Sequence, residues 1–174
     1  DMDETQLRRT LAEDLTSVPF AVGINNHMGS GYTGDMKSMT RLMAALVERG
    51  DMYFLDSRTH KSTVAEMAAR QAGVPTSRRD VFLDFRRDEA YISGQFNLLL
   101  AKAQQQGSAV AIGHPYPETL AVLNRRLPEL EGLGVELVPL SRLIQRQSEE
   151  KLTTGLANSA IVEAKIPEID RGEY

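Results

Sequence analysis

The chain has three histidines, at positions 27, 60 and 114, and two of them stand among residues able to do chemistry. His27 lies in "GINNHMGSGYTG", beside Asn25 and Asn26 and ahead of a run of glycines. His114 follows a short apolar run in "AVAIGHPYPET", where Gly113 permits close backbone approach, Pro115 fixes the exit and Tyr116 adds a ring. An imidazole can ligate a metal when neutral or carry a proton near neutral pH. Asp56 and Arg58 are two apart in "FLDSRT", and Asp84 ends "RRDVFLD". Together these types cover acid–base work, metal ligation and hydrogen bonding to a sugar. Each also has a plainer use. His27 can bond a backbone carbonyl, His114 can pack on the next helix, Asp56 can pair with Arg58, and Asp84 can cap a turn. His60, before the helix start at Ser62–Thr63, is expected to be exposed without a role. The arginine pairs at 78–79, 86–87 and 125–126 read as solvated surface, with Arg79 set apart by its place directly before a strand.

What must position these residues is an alternation of apolar runs and amphipathic stretches. Leu7, Leu11, Leu15 and Val18 share a helical face that Pro19 ends. "FAVGINN" reads as a strand, and "DMKSMTRLMAALVERG" as a helix with Met36, Met39, Leu42, Met43 and Leu46 on one core-facing stripe. "MYFLD" is a second strand. "STVAEMAARQAG" is a helix whose Thr63 and Glu66 have capping-box spacing. "DVFLD" is a third strand, followed by a long helix carrying Ile92, Phe96, Leu99 and Ala103. "AVAIG" is a fourth strand, and a helix opened by Pro117 carries Leu120, Leu123 and Leu127. "VELVPLS" reads as a fifth strand and "SRLIQRQ" as a last helical turn.

Strands without polar alternation, separated by helices, indicate α/β architecture with a parallel sheet: an open doubly wound sheet or part of a (β/α) barrel. In such folds the carboxyl ends of the strands share one edge, where ligands bind. The five runs end at Asn25–Asn26–His27, Asp56–Ser57–Arg58, Asp84, His114 and Ser141, so a site is expected on that edge. From about Ser148 periodicity fades. Residues 1–147 are therefore expected as one α/β domain and 148–174 as a tail or docking segment.

Composition narrows the class. A chain of 174 residues, 41% hydrophobic and 25% charged, is long enough for one domain with a real core. A net charge of −4 gives no basic face for nucleic acid. The absence of cysteine excludes disulfides and thiolate zinc sites. No apolar run spans a bilayer, and no signal peptide is visible. The opening "DMDETQL" points to a processed chain or a piece of a longer one. No P-loop or G-x-G-x-x-G follows a strand, which argues against a nucleotide-binding domain.

In order and spacing, "VGINNHMGS", "FLDSRT", "RRDVFLD" and "AIGHPYPETL" resemble the divergent polysaccharide deacetylases of bacterial envelopes, from about Leu7 to Ile144. The resemblance implies a distorted (β/α) barrel, export to the periplasm, and metal-dependent removal of acetyl groups from an N-acetylated envelope polysaccharide. It implies a divalent metal, usually zinc, with His27 as a ligand and His114 as proton donor or second ligand. Asp56, Arg58 and Asp84 would line the pocket as catalytic groups, and Asn25, Asn26 and Tyr116 would contact the glycan. The family's paired aspartate motif has no counterpart, because no "DD" occurs. The chain therefore looks like the carboxyl-terminal portion of such a domain, with about five β-α units. A second expectation follows from that gap: a glycan-binding domain of the same fold that does not cleave its ligand.

Overall fold

The computed structural model describes residues 2–27 and 29–150. Helix α1 (Glu4–Ser17) starts at Asp3, whose carboxylate accepts the Gln6 N–H while the Gln6 side chain returns to the Asp3 N–H. Strand β1 (Gly23–Asn25) leads through a one-turn helix α2 (Ser30–Thr33) into α3 (Met36–Arg49), capped by Asp35. Then come β2 (Tyr53–Asp56), α4 (Ala65–Gln71), β3 (Thr76–Arg78) and β4 (Val81–Phe82). The order closes with α5 (Glu89–Gln106), β5 (Ala111–Ile112), α6 (Pro117–Arg126), two 3-10 turns, and α7 over residues 140–150.

The strands are parallel throughout. One sheet has the order β1-β2-β3, with Ile24 opposite Phe54 and Leu55 opposite Ser77; the other pairs β4 with β5, Val81 opposite Ala111. A two-residue step joins the sheets. The Arg79 N–H donates to the Asp56 carbonyl, and the next N–H, of Asp80, donates to the Val110 carbonyl. The Asp80 carboxylate accepts the Val110 N–H in return. Residues 76–82 therefore pair with β2 at one end and β5 at the other. Among the described residues the sheet is open, not a closed barrel.

The methionine stripe is core, as its spacing predicts. Met39 and Met43 are fully buried with Leu46 and Phe54, while Ala65, Ala68 and Ala69 let α4 pack closely. A second cluster, Val81, Leu83, Ile92 and Val122, lies under β4, and Phe96, Leu100 and Leu130 form a third. On α6 the buried residues are Thr119 and Val122, and Leu120 is exposed. Leu123 and Leu127 pack against the core as expected, and Thr119 takes the inward place expected of Leu120 because a buried carboxylate described below draws it in.

Three further expectations are corrected. "VELVPLS" forms no strand: 135–139 join no ladder among the described residues, Leu137 is exposed, and Ser141 lies in α7. The fifth strand is instead the polar "TSR" of β3. Its Thr76 and Ser77 are buried because each hydroxyl has a partner, the Phe54 carbonyl at 2.7 Å and Gln147 at 3.0 Å. Thr63 does not head a capping box. The N-cap of α4 is Val64; the Thr63 hydroxyl accepts the Ala65 N–H and donates to Asp56, but Glu66 does not return to it and pairs with Arg70 and Arg78. Val18 ends α1 exposed, not on its core face. The tail expected from Ser148 begins inside α7, and its remainder, 151–174, lies outside the described residues.

Burial on α3 makes a direct comparison possible. Met43→Ala should lower unfolding free energy by about 2–5 kcal/mol, whereas Val47→Ala, on the exposed side of the same helix, should change it by less than about 0.5 kcal/mol. Urea unfolding of the two variants measures both.

Candidate functional site

The strand ends meet on one edge. His27, after β1, and His114, after β5, have ring centroids 6.0 Å apart, nearly perpendicular. Phe82 lies edge-on to His114 at 5.6 Å, and Tyr116 is tilted against it at 5.1 Å. Arg87 stacks over Tyr116 at 4.2 Å, and Arg79 over Phe82 at 5.0 Å. Of the expected residues, His27, His114 and Tyr116 thus form one contact chain with Phe82 and Arg79. His60 is exposed, its Nδ1 accepting the Ser62 N–H.

His114 is anchored by Asp84. The Asp84 side chain has no solvent exposure, and its Oδ2 accepts the His114 backbone N–H and the Thr119 hydroxyl, the latter at 3.0 Å. Its Oδ1 lies 3.0 Å from His114 Nδ1. Burial pushes the Asp84 carboxyl up, but the bonds from the His114 N–H, the His114 ring and the Thr119 hydroxyl outweigh it and hold the group below its ordinary value. Asp84 is therefore an ionised acceptor at neutral pH, which places a proton on Nδ1 and leaves Nε2 free for a ligand or a proton. The approach needs Gly113, because a Cβ there would stand 3.3 Å from Asp84 Oδ2 and 3.4 Å from Leu83.

A second knot sits at the tip of β2. Asp56 is buried; its Oδ1 accepts the Arg58 N–H at 2.8 Å and its Oδ2 the Thr63 hydroxyl at 3.1 Å. Asn26 accepts the Ser57 N–H and donates to Thr59, and Asn25 donates to the Ser57 hydroxyl, so both amides tie β1 to β2. Asp56 meets Arg58 through the backbone; no ion pair joins their side chains among the described residues. Arg79 is not solvated surface. Its Nε donates to the Ser57 carbonyl at 2.6 Å and its Nη2 to the Arg58 carbonyl at 2.8 Å. Burial, then the charge of Arg58, lowers its pKa, against a smaller opposing pull from Asp56. Arg126 likewise is not merely solvated, since it stacks on Phe96 and pairs with Glu129.

The donor set does not fit a complete zinc site. Two imidazoles converge, but Asp56 and Asp84 already accept protein hydrogen bonds on both oxygens. Among the described residues no three His, Cys, Asp or Glu side chains group so as to hold a metal ion. A catalytic zinc needs three protein ligands and one open position.

Nothing in the sequence singles out Phe82 for this edge, and Thr119 and Arg79 stand out only weakly. The i+5 spacing from His114 to Thr119 across the start of a helix was the only available signal for Thr119. For Arg79 it was the place before a strand.

"NNHMGS", "DSRT", "RRDVFLD" and "IGHP" all stand at strand ends on one edge, and the chain belongs to the divergent polysaccharide deacetylase family, whose model matches residues 1–144. It is similar to the uncharacterized protein YibQ of Escherichia coli K12, 40% identical over 153 residues, which are 88% of this chain and 47% of that protein. An uncharacterized protein of Haemophilus influenzae is 47% identical over 120 residues, 66% of this chain and 42% of its own length. The chain thus spans less than half the length of these curated relatives. The crystal structure of the uncharacterized protein ATU2773 from Agrobacterium tumefaciens C58 shares the fold, with a TM-score of 0.72 at 22% identity over 79% of this chain and 56% of that one.

Asp84→Asn should cost about 1–3 kcal/mol at pH 7, because an amide cannot accept from all three donors. Since the folded-state pKa lies below the unfolded one, this stabilisation is complete above about pH 4 and is lost as pH falls through the depressed value. Urea unfolding at pH 7 and pH 3 should show the gap between wild type and variant closing at the acid end.

Proposed function

We propose that this chain is part of a deacetylase domain acting on an N-acetylated envelope polysaccharide, with His114 supplying the proton to the departing amine. The observation that carries this reading is the Asp84–His114 pair. Amide hydrolysis stalls unless the leaving nitrogen is protonated, and a positioned imidazole is suited to that step. Asp84 fixes the ring and its tautomer from a dry position, so Nε2 is the atom that exchanges the proton. His27, whose ring lies 6.0 Å from that of His114, would orient the acyl or sugar portion, and Tyr116 offers an edge for the ring of the sugar. Asp56 and Asp84 act in this reading as positioning residues: one holds the Arg58 backbone, the other holds His114.

The finer fold reading belongs to the same proposal. β1 and β5 each pair with one neighbour among the described residues, which leaves edges where further strands of a distorted (β/α) barrel would attach. Residues 1–147 would be the contribution of this chain to that domain. Zinc would need carboxylate ligands from outside the described residues. Periplasmic export rests on family membership alone; no described helix is long and apolar enough to cross a membrane.

A second reading is favoured by the incomplete donor set: the same edge binds the glycan and does not cleave it. Acetate release from N-acetylated glycan fragments, followed on the full-length natural protein with and without added zinc, separates the two. Under the first reading His114→Ala lowers kcat by roughly 10²–10⁴ with KM little changed. Retained glycan binding with no acetate released by wild type in either condition replaces the enzyme reading with the binding one.

A further inference from the structure

The aromatic rings that follow the strand ends are engaged, with one exception. Phe82 meets the Arg79 guanidinium at 5.0 Å and the His114 ring at 5.6 Å. Tyr116 meets Arg87 at 4.2 Å and His114 at 5.1 Å. Arg86 lies over Tyr91 at 5.5 Å, while Tyr32 packs against the Met39–Phe54 core and donates its hydroxyl to the Ser38 carbonyl. Phe85 differs: it is 75% exposed, and no described ring or guanidinium stacks on it. Phe20 is more exposed still, but it precedes β1 and so lies at the opposite end of the strands.

The backbone that carries Phe85 is fixed on both sides by groups that reach His114. Phe85 directly follows Asp84, whose oxygens hold the His114 N–H, the His114 ring and Thr119. Adjacent Cα atoms are about 3.8 Å apart, so position 85 stands beside the anchor of the imidazole. Two residues further on, Arg87 stacks on Tyr116 and pairs with Glu118 at 3.5 Å. Asp88 closes the turn: its N–H donates to the Arg86 carbonyl, and its carboxylate accepts the Tyr91 N–H at the start of α5. Both arginines that follow Phe85 are therefore turned onto other rings. The fold holds an apolar ring open to water, on a tethered loop, at the edge where the histidines meet. Rigidly mounted loops of this kind are where binding residues concentrate.

We propose that Phe85 is a stacking platform for a second sugar of the glycan, next to the acetamide-bearing sugar at His114, so that the site takes an oligosaccharide and not a single sugar. This rests on the glycan reading of the site and adds a length requirement to it. A pyranose carries C–H bonds on its faces and hydroxyls around its rim. Such a face removes a phenyl ring from water and leaves no hydrogen-bonding group of the sugar buried without a partner. Phenylalanine has no polar atom of its own, so the contact adds affinity and fixes the position of the neighbouring ring. The polar groups of the first sugar are left to Tyr116 and the histidines.

The test titrates two probes, N-acetylglucosamine and its trimer triacetylchitotriose, into the full-length natural protein by calorimetry or NMR. The trimer should bind at least about tenfold more tightly than the single sugar. Phe85→Ala should bring that ratio close to one, and Phe85→Trp, which keeps an aromatic face, should hold it near the wild-type value. A thermal melt of Phe85→Ala should match wild type to within about 3 °C, as expected for an exposed side chain. A larger drop shows that another part of the full-length protein packs on the ring, and overturns the platform. A ratio near one in wild type, or one that Phe85→Ala leaves unmoved, overturns the platform and leaves the glycan reading standing. Failure of both sugars to bind overturns the platform and the glycan reading together.

Discussion

A carboxylate shut away from water must be matched donor by donor, and around Asp84 this requirement organises the functional edge. Three donors answer it: a backbone N–H and a ring nitrogen from His114, and a hydroxyl from Thr119. They come from the end of β5 and the first turn of α6, while Asp84 itself follows β4. One buried charge thereby links two strands and a helix. The inward place of Thr119, with Leu120 left exposed, follows from the same demand. So does the glycine at 113, where any side chain would crowd the carboxylate.

The tip of β2 repeats the device with different parts. Asp56 is the buried carboxylate, and the Arg58 N–H and Thr63 hydroxyl are its donors. Arg79 reaches the same turn from the far side, at the point where the chain leaves the β2 ladder to join β5. Asn25 and Asn26 fasten β1 to it. Two satisfied carboxylates, one on each sheet, hold the loops that carry His27, Arg58 and His114 at fixed separations. Preorganisation of this kind lets a proton donor act without reorganising first.

Much of this was legible in the sequence because periodicity records burial. The methionine stripe of α3 and the apolar runs before Asn25, Asp56, Asp84 and His114 identified core and strand ends together, and the histidines met as the strand-end argument required. What periodicity could not record was polar burial. Thr76 and Ser77 look like loop residues until the Phe54 carbonyl and Gln147 are seen to satisfy them. "VELVPLS" has the composition of a strand, but it finds no ladder partner among the described residues, and Pro139 supplies no N–H for one. Thr63 and Glu66 have the spacing of a capping box, yet the Thr63 hydroxyl accepts the Ala65 N–H and donates to the buried Asp56 carboxylate, while Glu66 turns to two arginines. Arg79 read as surface because its partners are carbonyls, which every residue possesses and no pattern reveals.

That reliance on main-chain atoms has its own outcome at position 58. Asp56 grips the amide and Arg79 the carbonyl, so neither constrains which side chain is mounted between them. The mounting and the mounted group are separable. A different residue there would present different chemistry at the exposed end of β2 while the scaffold stayed as it is, and one with a greater tolerance of left-handed backbone would sit more comfortably than arginine does. Position 58 is thus a point where the side chain can change without the fold being renegotiated.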